Sequence, residues 1–185
     1  LGIYSINPDA KVYVKVTNSW YDPKGEEEAA KTLLNMNCDV IAQHCDTVYP
    51  QTLAQEKGVY SIGYNSDMSK EAPEACICSV IWNWSAYYTS AVQSIIDGTW
   101  DGSNYYGGMN ENLVSITPIA DFAADTTQEK VNVAKQQILS GKNGVFDGVI
   151  ETNTGATVGT AGKTLDDAVI TGGINWYFKT VNVIE

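Results

Sequence analysis

Apolar residues in this chain come in short runs that end abruptly in polar or aromatic clusters. Val12 to Val16 runs into Asn18-Ser19-Trp20-Tyr21-Asp22, and Val40 to Ala42 into Gln43-His44-Cys45-Asp46. Val59 to Ile62 runs into Tyr64-Asn65-Ser66-Asp67, and Ile77 to Ile81 into Trp82-Asn83-Trp84. Short runs rich in Val and Ile predict strands. Helical patterns follow most of them. Asp22-Pro23 predicts a helix start, with Asp at the N-cap, Pro at the first helical position and a buried stripe of Ala29, Ala30, Leu33, Leu34 and Met36. Glu26-Glu27-Glu28 in its first turns reads as a solvated run favoured by the helix dipole. Thr47 is expected to cap the next helix, which carries Pro50 in its first turn, turns Leu53 and Ala54 inward and stops at Gly58.

Further along, Met68 to Glu74, with Pro73, is expected to be a surface loop. Asn83 or Ser85 starts a helix that ends at Gly98, Leu113 to Thr117 forms a fifth strand, and Thr126 or Thr127 caps a helix reaching Leu139. After Gly148 the pattern gives only short β-like pieces among Thr and Gly, namely Val149-Ile150, Thr157-Val158 and Thr164-Leu165, with Ile174 to Tyr177 a strand or a turn.

Strand alternating with helix at this spacing predicts βαβ units, a mainly parallel sheet and a three-layer α/β/α sandwich. In such sheets ligands bind outside the carboxyl ends of the strands. The clusters therefore outline a binding edge, where aromatic faces mixed with amides and carboxylates suit a planar, hydrogen-bonding small molecule. Trp20 and Trp82-Asn83-Trp84 read either as a stacking platform or as packing residues with an N-cap. His44, Asp46, Asn65 and Asp67 offer hydrogen bonds at neighbouring strand tips.

Composition narrows the function class. The chain has 185 residues and a net charge of −11. An acidic surface argues against a nucleic-acid partner, which needs Lys and Arg patches. No apolar run reaches the length of about eighteen residues that a membrane span requires. Leu1 opens the chain without an initiator Met or a leader, so it is read as a piece of a longer protein. Cys38, Cys45, Cys76 and Cys78 lack zinc-site spacing and read as small buried hydrophobes, with no metal site and no cofactor expected. His44 has no partner in a nucleophile motif, and neither GxSxG nor a phosphate-binding glycine loop occurs. Asp46 and Asp67 are better suited to accepting hydrogen bonds than to acid–base work, so no catalytic residue is assigned.

Several of these strand-tip segments together resemble the basic membrane protein (BMP) family of substrate-binding lipoproteins. They are Val16 to Pro23, Cys38 to His44, Glu56 to Asp67, Ser79 to Trp84 and Asp97 to Trp100. Gly162 to Asp167 and Ile174 to Tyr177 continue the likeness through the tail. The resemblance implies a type I periplasmic-binding-protein-like fold, two lobes that close on a purine nucleobase or nucleoside and deliver it to the permease of an ABC importer. It implies that residues 1–185 are the C-terminal lobe, that the N-terminal lobe is missing, and that the only membrane attachment is a lipid anchor outside this chain. An extracytoplasmic place follows, either anchored at the cell membrane or periplasmic. Family members that bind nucleosides carry Asp where this chain has Asn65, and some carry Lys near Trp82. Both departures point away from a nucleoside toward a free base or another flat heterocycle, such as adenine. The site implied is Trp20, His44, Asp46, Asn65, Asp67, Trp82, Asn83 and Trp84, in a protein that is not an enzyme. The rival readings are a ligand-sensing domain of a membrane signalling protein and a flavodoxin-like enzyme.

Overall fold

The computed structural model describes residues 1–142 and 144–184. They group into two compact units, Thr17–Val133 and a second made of Leu1–Val16 with Ala134–Glu185. The family resemblance implies one lobe over residues 1–185.

In the larger unit, α2 (Pro23–Asn35) starts where Asp22-Pro23 predicts, with the Asp22 side chain accepting from Gly25 N–H at 3.0 Å. Then come β2 (Val40–Ala42), α3 (Tyr49–Glu56), β3 (Tyr60–Asn65), β4 (Cys76–Trp82), α4 (Trp84–Ile96) and β5 (Val114–Ile116). The sheet order is β2-β3-β4-β5. β2, β3 and β4 are parallel, and β5 runs antiparallel to β4. The α/β class and mainly parallel sheet are those expected.

The core lies between this sheet and α2 with α3. Ala30 and Leu34 from α2, Leu53 and Ala54 from α3, Ile41 from β2 and Cys76 from β4 are buried in one cluster. The expected surface loop after β3 is part of that cluster: Met68, Ala72 and Ala75 are 2 % exposed or less. The segment coils rather than loops out, with Ala72 N–H on Met68 C=O at 3.2 Å and Cys76 N–H on Ala72 C=O at 2.8 Å. Its charged residues and Pro73 hide the apolar positions between them. Gly63 sits beside Ser79 in the β3–β4 register, and a Cβ there would stand 2.3 Å from Ser79 Oγ. That hydroxyl accepts from Met68 N–H at 3.1 Å, and Ser79 N–H donates to Thr117 Oγ1 at 2.8 Å.

The remaining surface of the unit is less covered. Val40 and Tyr60, paired in register, are 44 % and 48 % exposed, with Phe122 stacked on Tyr60 at 5.9 Å. α4 carries no charged residue and buries none of its residues.

In the smaller unit, α1 (Gly2–Ile6) precedes β1 (Val12–Lys15), which pairs in parallel with β8 (Val181–Ile184). β6 (Asp147–Glu151) and β7 (Thr157–Thr164) form the antiparallel hairpin hinted at by the Thr- and Gly-rich tail, followed by α6 (Asp167–Gly172). Tyr4 meets Phe178 edge-on at 5.1 Å. Lys179 lies over the Tyr4 ring and pairs with Glu151 at 3.3 Å. α5 (Thr127–Leu139) contains the boundary between the units. β1 is thus not a neighbour of β2, as a single row of successive strands would have it. Its backbone is taken by β8, a strand whose alternation is too short to stand out in the tail.

Candidate functional site

The carboxyl ends of β2, β3 and β4 lie at one end of the sheet because the three strands are parallel. The segment after β1 joins them without belonging to their sheet. Asp46 N–H donates to Trp20 C=O at 2.9 Å, tying the Trp20 loop to the loop after β2. Trp20 meets His44 edge-on with ring centroids 5.1 Å apart, and His44 meets Tyr64 in the same way at 4.4 Å. Tyr64, at the end of β3, is the residue that the sequence-derived site omits. Its place within the Tyr64-Asn65-Ser66-Asp67 cluster is the signal that marked it.

Register extends this row sideways. Tyr64 pairs with Val80 and Asn65 with Ile81, so Trp82 stands one residue beyond, at the same end of the sheet as Asn65. Side chains alternate along a strand, which places Tyr64, Val80 and Trp82 on one face. Trp82 stacks on Trp84 at 5.6 Å with 25° between planes, and Trp84 on Tyr88 at 5.9 Å. Trp20 and Trp84 are exposed at 61 % and 46 %, and His44 and Asp46 are also exposed. Ring faces and polar edges at this end are therefore open to a ligand.

The polar candidates divide by what already holds them. Asn65 takes a positive φ of 71°, and Ser66 N–H reaches back to Tyr64 C=O at 2.8 Å. Asn tolerates this left-handed backbone better than most residues, and the tight turn swings the chain away just past Tyr64. Asp67 accepts Ser69 N–H at 3.0 Å, and hydrogen bonds from Ser69 hold its carboxyl below the usual carboxylate range. Asn83 is the N-cap of α4; its amide oxygen accepts from the Ser85 hydroxyl at 2.5 Å, and its N–H donates to Leu113 C=O at 2.7 Å. Asp67 and Asn83 are thus committed to local turns, while His44, Asp46 and Asn65 face outward with fewer local bonds.

One consequence for Asp67 is measurable. A carboxyl whose folded pKa is depressed adds stability above its ordinary pKa and loses it as pH falls through the depressed value. Because Asp67 is exposed, the effect is small and is best read locally. The Ser69 amide shift is expected to titrate below the ordinary Asp range, and Asp67→Asn should remove that titration. A Ser69 midpoint at the ordinary Asp value would show that the bond does not hold in solution.

Beneath the tips lies a buried amide layer. Gln43 Nε2 donates to Thr47 C=O and to Gln51 Oε1, both at 2.6 Å, and Gln51 Nε2 donates to Ile62 C=O at 3.1 Å. Gln51 is fully buried, and these bonds fix the loop after β2 against α3 and β3. Cys76 is buried, while Cys38, Cys45 and Cys78 are half-buried and free. Burial pushes the Cys38 and Cys78 thiols up. Among the described residues no group of three His, Cys, Asp or Glu converges as a metal site, and no helix is long and apolar enough to cross a membrane.

Comparison with known proteins gives this geometry a context. The family described as Bmp, ABC transporter substrate-binding protein PnrA-like, matches residues 1–145. A purine-binding protein of Brucella abortus (strain 2308) is 35% identical over 182 residues, covering 98% of this chain and 51% of the relative. A Haloferax volcanii protein named as an ABC transporter glucose-binding protein is 32% identical over 148 residues, covering 80% of this chain and 38% of the relative. The chain therefore spans about half the length, or less, of these curated relatives. The solved structure of an ABC transporter solute-binding protein from Conexibacter woesei DSM 14684 superposes with a TM-score of 0.59 at 23% identity, covering 77% of this chain and 48% of that one. That likeness speaks for the fold. With its family matched over most of its length, the chain belongs to the Bmp family of PnrA-like ABC transporter substrate-binding proteins.

Proposed function

We propose that this chain supplies one side of the binding cleft in a solute receptor of an ABC importer, and that the solute is a purine nucleobase or nucleoside. The observation that carries this reading is the open row of rings at the sheet end, Trp20, His44, Tyr64, Trp82 and Trp84. Flat faces flanked by Asp46 and Asn65 suit a planar heterocycle with hydrogen-bonding edges. The name of the Brucella relative supports the purine, and the family supports binding and delivery rather than turnover. In this reading Trp20, Trp82 and Trp84 stack. His44, Asp46 and Asn65 bond the ligand's edge or hydroxyls, and Asp67 and Asn83 shape the turns beside it.

The rest of the cleft comes from a second lobe encoded outside this chain. Ligand favours closure by binding the closed state more tightly than the open one. The partners are then the importer's permease and, through a lipid anchor outside these residues, the outer face of the membrane. The full-length polypeptide, purified with no ligand added and weighed by native mass spectrometry, is expected to retain a mass matching a purine base or nucleoside. A retained sugar or amino acid would replace this reading with another solute class.

A further inference from the structure

The carboxylate of Glu26 is the feature that the site, as described, leaves without a purpose. The sequence places it in a solvated run, and Glu27 and Glu28 do pair with Lys31 and Lys24 at the surface. Glu26 instead is 2 % exposed. No Lys, Arg or His pairs with it among the described residues. A buried carboxylate is costly unless its oxygens find donors. Here they find three: Oε1 accepts Asp22 N–H at 3.1 Å, and Oε2 accepts Thr47 N–H at 3.3 Å and the Thr47 hydroxyl at 2.6 Å. Its position in the first turn of α2 adds the favourable end of the helix dipole.

The donors belong to two different loops. Asp22 closes the segment that carries Trp20, and Thr47 closes the segment that carries His44 and Asp46. Those segments are also joined by the Asp46–Trp20 backbone bond and the Trp20–His44 ring contact. We propose that Glu26 is a positioning residue that clamps the Trp20 loop to the His44–Asp46 loop from beneath, so that ring and polar groups meet a purine already in place. Trp20 and His44 lie on loops from different sheets, so no ladder bond fixes their separation; Glu26 is a shared anchor for both. This rests on the purine reading above only for what the two loops are for.

The test uses the one histidine of the chain. The Trp20 and Tyr64 rings beside His44 shift its imidazole proton signals, and those shifts report loop geometry directly. In Glu26→Gln an NH2 group replaces one acceptor among three donors, and in Thr47→Val the hydroxyl is lost. Both are expected to move the His44 signals toward their random-coil positions while Leu34 and Leu53 methyl signals stay put. Thr47→Ser restores the hydroxyl and is expected to restore the shifts. In the full-length polypeptide, adenosine affinity is expected to fall about tenfold or more in the first two variants and to recover in the third. Unmoved His44 signals in Thr47→Val and Glu26→Gln would overturn the proposal, as would displaced signals with unchanged adenosine affinity. If Glu26→Gln does not fold, the Thr47 pair alone decides. A wild-type protein that takes no adenosine refutes the purine reading, and the His44 shifts still decide whether Glu26 clamps the loops.

Discussion

The full-length polypeptide is expected to bind adenine or adenosine at micromolar concentration, and the 185-residue chain alone at least about tenfold more weakly. Stacking on an aromatic side chain is worth roughly 1–3 kcal/mol per base, by analogy with single-stranded nucleic acid. Two available platforms, Trp20 and the Trp82–Trp84 stack, then give about 2–6 kcal/mol. A micromolar complex needs about 8 kcal/mol. Hydrogen bonds from exposed His44, Asp46 and Asn65 compete with water and add little while the site stays wet. The shortfall is what a second, closing lobe would supply by drying the site and adding contacts. Isothermal calorimetry on both forms checks it. Micromolar binding by the chain alone would show that these strand tips are a complete site and would remove the two-lobe reading.

The second large effect concerns stability. Gly63→Ala is expected to cost about 2–4 kcal/mol, through overpacking and the disturbance of a buried hydrogen bond. The new Cβ falls 2.3 Å from Ser79 Oγ and 3.0 Å from Met68 Cβ. Ser79 cannot retreat freely, because its hydroxyl holds Met68 N–H and its N–H holds Thr117. Either the hydroxyl rotates away and strands the buried Met68 amide, or β3 and β4 separate. A fall of about 5–10 °C in the melting temperature should follow. Ser79→Ala in the same background removes the closest clash but also the acceptor of Met68 N–H, so it should recover part of the loss only if Gly63→Ala acts by separating β3 and β4. A Gly63→Ala protein that melts with the wild type would mean that β3 and β4 have slack at this point.

Much of this arrangement is legible in the residues alone. Asp22-Pro23 fixes the start of α2 by local chemistry, and β2, β3 and β4 follow from short runs of Val and Ile. What escapes local reading is long-range. β1 reads as the first of a row, but its partner is β8, about 170 residues away, and no local pattern encodes that pairing. Met68 and Ala72 are buried although Lys70, Glu71 and Pro73 surround them with loop chemistry. Glu26 stands four residues before Ala30 and eight before Leu34, on the buried stripe of α2, but its charge reads as solvent-facing, and only Thr47, 21 residues on, supplies the donors that let it stay buried. For the candidate site, the strand-tip clusters mark which residues gather at one end. Which of them are spent on turns, as Asp67 and Asn83 are, depends on bonds to Ser69 and Ser85 that the same letters would allow or refuse.

α4 has a bearing on how copies of this chain behave toward one another. Trp84, Tyr88, Val92 and Ile96 recur every fourth residue along it, all substantially exposed, on a helix without a single ionic group. The molecule as a whole carries −11. In dilute buffer that charge repels neighbours over distances of about 30 Å at 0.01 M salt, and the helix is kept out of reach. Added electrolyte shortens that range to about 8 Å at physiological strength and does nothing to weaken an uncharged apolar stripe. Sulfate strengthens it outright. Ionic strength is therefore expected to act on this chain in the reverse of the usual sense for a surface held by ion pairs: added salt should bring the molecules together, and desalting should keep them apart.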